Sequence, residues 1–116
     1  MKLGGETIEC IKFADWLNYH PQLKNLYFHI PNERKCTPAH GRILKRMGVR
    51  AGAYDYFIMK PSGQYHGLFI EMKFGANKPT ENQNKFKLSA ESEGYKTAVC
   101  YSADEAIKLV LEYISL

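Results

Sequence analysis

The segment from Tyr54 to Phe74 most restricts what this chain can become. Two runs rich in β-forming residues, Tyr54 to Lys60 and His66 to Phe74, flank Pro61-Ser62-Gly63. Proline and glycine so close together mark a turn, so the runs read as two strands of one hairpin. An acid interrupts each strand: Asp55 near the start of the first, and Glu71 after Leu68-Phe69-Ile70 in the second. A turn near Ser62 to Tyr65 brings these two acids to neighbouring positions on adjacent strands. Lys73 follows Glu71 by two residues. Side chains alternate between the faces of a strand, so Glu71 and Lys73 point the same way.

The rest of the chain supplies elements that can cover such a hairpin. Glu6 to Tyr19 reads as a helix, with Thr7 as a cap, Ile8, Ile11, Trp16 and Leu17 at roughly helical spacing, and Pro21 closing it. Trp16 and Leu17 suit either core packing or a face toward a second copy. Leu26 to Ile30 is a short strand, residues 32–38 a polar loop, and Ala39 to Met47 a short helix ended by Gly48. Thr80 to Glu93 is a helix with Thr80 as its N-cap and Gln83 at the capping-box position, stopped by Gly94. Lys96 to Tyr101 is a strand, and the run from Ala98 to Tyr101 has the two-sided apolar character of a central one. Ser102 caps a last helix with Ala106, Ile107, Val110, Leu111 and Ile114 on one face. The order α, β, α, β, β, α, β, α predicts an α/β fold with a mixed central sheet flanked by helices. A chain of 116 residues with no repeat or linker predicts one domain over residues 1–116.

Composition excludes several classes. No apolar run approaches the roughly 20 residues that span a membrane, and the stretch from Met1 to Cys10 carries Glu6 and Glu9 without the apolar core of a signal peptide. A protein of the cytoplasm, in a bacterial or phage-infected cell, is the expectation. Cys10, Cys36 and Cys100 have neither an even count nor CxxC spacing, so free and mostly buried thiols are expected rather than a disulfide framework or a zinc site. Four scattered histidines lack metal-ligand spacing. Lysine and arginine total 16 against 12 acids, a formal charge of +4, and the bases gather at Arg42, Lys45-Arg46, Arg50, Lys73, Lys78, Lys85 and Lys87. Basic residues flanking a few acids suit a nucleic-acid partner better than solubility alone.

Two carboxylates brought together repel unless something neutralises them. Mg²⁺ takes hard oxygen ligands, keeps several waters and needs only one or two carboxylates. A cation there polarises a phosphate oxygen and acidifies a water, and a lysine beside it offsets growing charge on the phosphate. These parts suit phosphodiester hydrolysis. Taken alone, Glu71-x-Lys73 reads as an exposed, solvated pair on one face of a strand.

Several further motifs fall in order around that pair. They are Pro31-Asn32-Glu33, then Lys45-Arg46-Met47-Gly48-Val49-Arg50-Ala51-Gly52, Asp55, Leu68-Phe69-Ile70-Glu71-Met72-Lys73, and Gln83. From about Tyr27 onward the chain resembles the virus-type replication-repair nuclease (VRR-NUC) domain, a branch of the PD-(D/E)xK nuclease superfamily. The resemblance implies a restriction-endonuclease-like core and Mg²⁺- or Mn²⁺-dependent cleavage of DNA. It makes Asp55, Glu71 and the backbone carbonyl of Met72 metal ligands and Lys73 the catalytic lysine. Glu33 becomes an additional acid acting through a water or a second metal, and Gln83 the helix glutamine that supports the site. Stand-alone members are similar to phage enzymes that resolve four-way (Holliday) junctions as homodimers, with two related cuts matched by two-fold symmetry. One departure is Tyr54, where the superfamily often has proline before its motif aspartate.

Arg50 is a candidate phosphate grip or a structural ion-pair partner. Lys78, Lys85 and Lys87 are candidate DNA contacts or solvated surface. Gly52 is a place for close backbone approach. The alternatives in other classes are a non-catalytic DNA-binding or assembly module with a nuclease-like fold, and a nuclease that nicks or cuts flaps.

Overall fold

The computed structural model of the chain describes residues 3–31 and 36–116. The eight elements are α1 (Gly5–Tyr19), β1 (Tyr27–His29), α2 (Pro38–Arg46), β2 (Tyr56–Ile58), β3 (Leu68–Met72), α3 (Glu81–Ser92), β4 (Lys96–Cys100) and α4 (Ala103–Ile114). The hairpin is β2 and β3, antiparallel, with Tyr56 opposite Ile70, Phe57 opposite Phe69 and Ile58 opposite Leu68. Ser62 and Tyr65 bridge at its turn. β1 adds to β2 antiparallel, and β4 adds to β3 parallel, giving a mixed four-stranded sheet in the order β1-β2-β3-β4. A parallel neighbour needs a long crossover, and α3 supplies it.

This order places β4 at an edge, not at the centre as its apolar run suggests. The run is explained by cover on both faces: Cys100 joins the core beside α4, while Thr97 is buried and its hydroxyl donates to Glu91 of α3 at 2.9 Å. Apolar strands mark burial of faces, which an edge strand can share.

Strand alternation divides the sheet into two chemistries. Tyr56, Ile58, Leu68, Ile70 and Met72 point to one face and meet Phe13 and Leu17 of α1 and Ala103, Ala106, Val110 and Tyr113 of α4. The Glu9 carboxylate of α1 accepts the backbone N–H of Ala103 at 2.9 Å, which fastens α1 to the start of α4. The opposite face carries Phe57 stacked on Phe69 at 4.4 Å, with Phe86 of α3 edge-on to Phe69 at 5.0 Å and Tyr95 closing the group. These aromatic pairs add directional attraction to the area they bury.

Several caps and surfaces differ from sequence expectation. α1 begins after Gly4 with no side-chain cap, and Thr7 lies inside its first turn. α2 begins one residue early, because Thr37 caps it by accepting the His40 N–H at 3.2 Å and Pro38 suits the first helical position. On α4, Leu111 is exposed instead of lining the apolar face. Cys10, Cys36 and Cys100 form no disulfide with one another, but only Cys100 is buried; Cys10 is intermediate and Cys36 exposed. No helix among the described residues is long and apolar enough to cross a membrane.

Leu17 is fully buried and Trp16 is partly buried against the core, so neither forms an open face for a second copy; the exposed large apolar residues of α1 are Ile8, Ile11 and Tyr19. Leu17→Ala is therefore expected to lower unfolding free energy by about 2–5 kcal/mol. Ile11→Ala, at a surface position, should change it by roughly 0.5 kcal/mol or less. Urea unfolding of both variants checks this, and equal losses would contradict the placement of Leu17.

Candidate active site

The hairpin register continues one step past β2, and Asp55 falls beside Glu71. There the Asp55 side chain takes over a backbone role: its Oδ2 accepts the Met72 N–H at 2.8 Å. This bond ties the entry of β2 to the end of β3. The backbone on the other side is held too, since Ile30 N–H donates to the Asp55 carbonyl at 2.6 Å. Asp55 is thus half-buried, fixed at both its main chain and its carboxylate.

Glu71 lies on the same face as Phe69 and is 1 % exposed. Its Oε2 accepts a 2.7 Å hydrogen bond from Gln83 Nε2 and lies 3.4 Å from Lys73 Nζ. Its Oε1 is buried with no hydrogen-bond partner among the described residues. Burial pushes the carboxyl above its ordinary range, the Asp55 charge pushes it further, and the Lys73 ammonium opposes both. A buried carboxylate with one oxygen unbonded costs free energy, so this geometry is adverse until something meets that oxygen.

Gln83 owes its orientation to the start of α3. Thr80 Oγ1 accepts the Gln83 N–H at 3.2 Å, and Gln83 Oε1 accepts the Thr80 N–H at 2.9 Å. With its oxygen committed to this capping box, the amide turns its nitrogen to Glu71. Gly52 sets the position of that helix start. It has φ +86°, and a Cβ there would run into the backbone of Asn82. The close approach expected of Gly52 is therefore made against α3.

Tyr54 is fully buried under α3, its ring 5.2 Å from Phe86. Burial, then the Glu71 and Glu91 charges, pushes its hydroxyl up to about 12. In place of a proline that shapes backbone, the chain has an aromatic wedge that packs the loop before Asp55 against the helix carrying Gln83.

Asp55 and Lys73 open onto a cleft of about 370 Å³, whose walls include His29, Glu6, Thr7 and Cys10. The α1 side of this cleft had no sequence signal, because Glu6, Thr7 and Cys10 lie before the residues that carry the family motifs. Thr80 was legible as a cap but not as the residue that aims Gln83. Glu33 lies outside the described residues. Among the described residues no cluster of three metal-ligating side chains occurs, and Asp55 and Glu71 stand as a pair. Two hard carboxylates side by side, one with an orphaned buried oxygen, fit a divalent cation that keeps most of its waters.

The candidate DNA contacts are dispersed. Arg50 is exposed and sits 5.8 Å from the Phe86 ring centre. Lys78 is exposed in the loop before α3. Lys85 pairs with Glu81 at 3.5 Å, and Lys87 with Glu91 at 3.1 Å, both one turn apart along α3.

Among solved structures, one described as a VRR_NUC domain protein superposes with a TM-score of 0.85 at 29% identity, covering 100% of this chain and 93% of that one. No protein-family model and no curated protein matches the chain.

The buried Glu71 carboxyl gives a stability signature. With its native pKa raised, the folded chain holds a proton that the unfolded chain releases, so stability falls as pH climbs from the ordinary carboxylate range toward neutrality. Below that range the effect vanishes. Glu71→Gln removes it. In chelator, the variant is expected to melt higher than wild type at neutral pH, by an amount worth about 1–3 kcal/mol, with the gap closing toward pH 4.5. Melting curves across pH check this; a gap that is absent or widens on acidification contradicts it.

Proposed function

Because the chain is a VRR-NUC-type domain with a nuclease-like α/β core, we propose that it is a metal-dependent deoxyribonuclease that hydrolyses DNA phosphodiester bonds. The observation that carries the reading is the grouping of Asp55, Glu71 and Lys73 at the end of the hairpin, with Glu71 Oε1 buried and unbonded among the described residues. In this reading Mg²⁺ or Mn²⁺ is held by Asp55, Glu71 and the Met72 carbonyl, with Glu33 as an additional acid. The bound ion supplies charge that polarises a phosphate oxygen and lowers the pKa of a water.

The chain's own residues do the rest. Asp55, fixed by the Met72 N–H, lines the cleft. Gln83 holds Glu71 Oε2, which leaves Oε1 as the oxygen that needs a partner. Lys73 lines the cleft with its ammonium 3.4 Å from Glu71. From there it orients the attacking water or faces the phosphate oxygen on which charge grows. A positioned donor of this kind, in a partly desolvated site, stabilises the transition state more than the ground state. Arg50 and Lys78 add attraction to phosphates, and Lys85 and Lys87, each paired with a glutamate, add less.

The preferred substrate in this reading is branched DNA, above all a four-way junction, cut by a homodimer in the cytoplasm. One 13.3 kDa chain carries one Asp55–Glu71–Lys73 group, whereas junction resolution needs two symmetric cuts. The exposed Ile8 and Ile11 on α1 are the face offered to the second copy.

Lys73→Ala is expected to lower the single-turnover cleavage rate by about 10²–10³ while junction affinity holds, since one lysine among many adds little to total phosphate attraction. Chelator should abolish cutting by the wild type, and Mg²⁺ or Mn²⁺ should restore it. Cleavage that survives chelator rejects the reading. A folded Lys73→Ala that loses binding and cutting together makes Lys73 a DNA contact and favours the non-catalytic module. Four-way, flap and linear duplex substrates in parallel separate junction resolution from nicking and flap cutting. Light scattering is expected to give a dimer at micromolar concentration, shifted toward monomer by Ile8→Asp with Ile11→Asp; an unshifted dimer moves the interface elsewhere.

A further inference from the structure

We infer that α2, through Arg42, Lys45 and Arg46, is the track on which a duplex DNA arm reaches the cleft; this rests on the nuclease reading above and adds where the substrate lies. From Cys36 to Tyr54 the sequence contains four arginines and lysines and no acid. Successive helical residues turn by about 100°, which puts Arg42, Lys45 and Arg46 within one arc of α2. Ile43, Leu44 and Met47 occupy the adjoining arc. No residue of α2 is buried, so the helix is not spending this basic face on the core.

The contrast with α3 decides the matter between the two basic helices. Lys85 and Lys87 each have a glutamate one turn away, which cancels much of their field. Arg42, Lys45 and Arg46 have no ion pair among the described residues. Unneutralised, clustered cations are what a phosphate backbone recognises, because each contact releases condensed counterions.

Position supports the same assignment. A groove of about 750 Å³ runs between α2 and the start of α3, lined by Leu44, Lys45, Val49, Arg50 and Asn82. It shares Pro31 with the cleft that contains Asp55 and Lys73, so groove and cleft adjoin. Asn82 also precedes Gln83, the residue that holds Glu71. A strand whose phosphates follow α2 is thereby delivered to the carboxylates, whereas one lying along the outer face of α3 meets paired charges.

The test compares two variants that remove the same charge: Arg42→Gln with Arg46→Gln on α2, and Lys24→Gln with Lys108→Gln elsewhere on the surface. Affinity for a labelled duplex and a labelled four-way junction is measured by anisotropy across salt, without divalent metal. The slope of log affinity against log salt is expected to shallow by about 2 in the α2 variant, with at least tenfold weaker binding near 0.1 M salt. The control should keep the wild-type slope. Lys45→Gln alone, expected to shallow the slope by about 1, serves if the double variant is unstable. Wild type that binds with a steep slope, and an α2 variant that keeps it, overturns the track and leaves the nuclease reading standing. Equal losses in both variants also overturn it, as does an α2 variant that loses affinity for an RNA hairpin but not for duplex DNA. Wild type with no affinity for any of these nucleic acids instead overturns the reading on which the track rests.

Discussion

A carboxylate buried in an aromatic and apolar setting organises the rest of this molecule. Glu71 stands near the end of β3, almost wholly out of water, with one oxygen bonded and the other without a hydrogen bond among the described residues. Such a group is tolerated only where the structure around it is fixed well enough to hold partners in place. Three elements meet that demand. The hairpin brings Asp55 alongside, the residue directly after β3 is Lys73, and α3 brings Gln83. The glutamine serves two purposes with one amide, closing the capping box through its oxygen and restraining Glu71 through its nitrogen. The first turn of α3 and the geometry of the carboxylates are therefore one structural unit. Gly52 belongs to it as well, because only a residue without a side chain lets the loop before Asp55 lie against Asn82.

How much of this is written in the sequence depends on the range of the interaction. The hairpin was legible because Pro61 and Gly63 interrupt two β-rich runs, and its register follows from turn length and alternation. The capping box was legible because Thr80 and Gln83 are three residues apart. The pairing of Glu71 with Lys73 was legible from their spacing of two. These are local signals. The edge position of β4 was not, since residue type reports burial of faces and not the order of strands. Nor was the contribution of α1 to the cleft: Glu6, Thr7 and Cys10 reach it only because α1 packs across α4, a contact between opposite ends of the chain. Leu17 could be read as core or interface until its neighbours were known, and they prove to be Phe13 and α4.

Charge is distributed with the same division of labour. The acids of α3 stand one turn from its lysines, so that helix is close to neutral along its exposed side. α2 contributes no residue to the core and carries no acid. One helix thus serves the architecture of the carboxylates, and the other supplies field. The Arg50 guanidinium over Phe86 links the two, tying the loop that follows α2 to the aromatic group beneath α3.

The bond from Glu9 to the backbone of Ala103 has a bearing on how the protein is made. The wall of the cleft contributed by α1 is synthesised before the hairpin, yet it is held in place by α4, which is synthesised after it. A nascent chain emerging from the ribosome can form the hairpin, and with it the meeting of Asp55 and Glu71, before α1 has α4 to fasten to. The pocket acquires its second wall only when residues 103–114 leave the exit tunnel. Completion of the cleft therefore waits on α4, and a chain halted before Ala103 keeps both carboxylates while lacking the helix that fastens the enclosing wall.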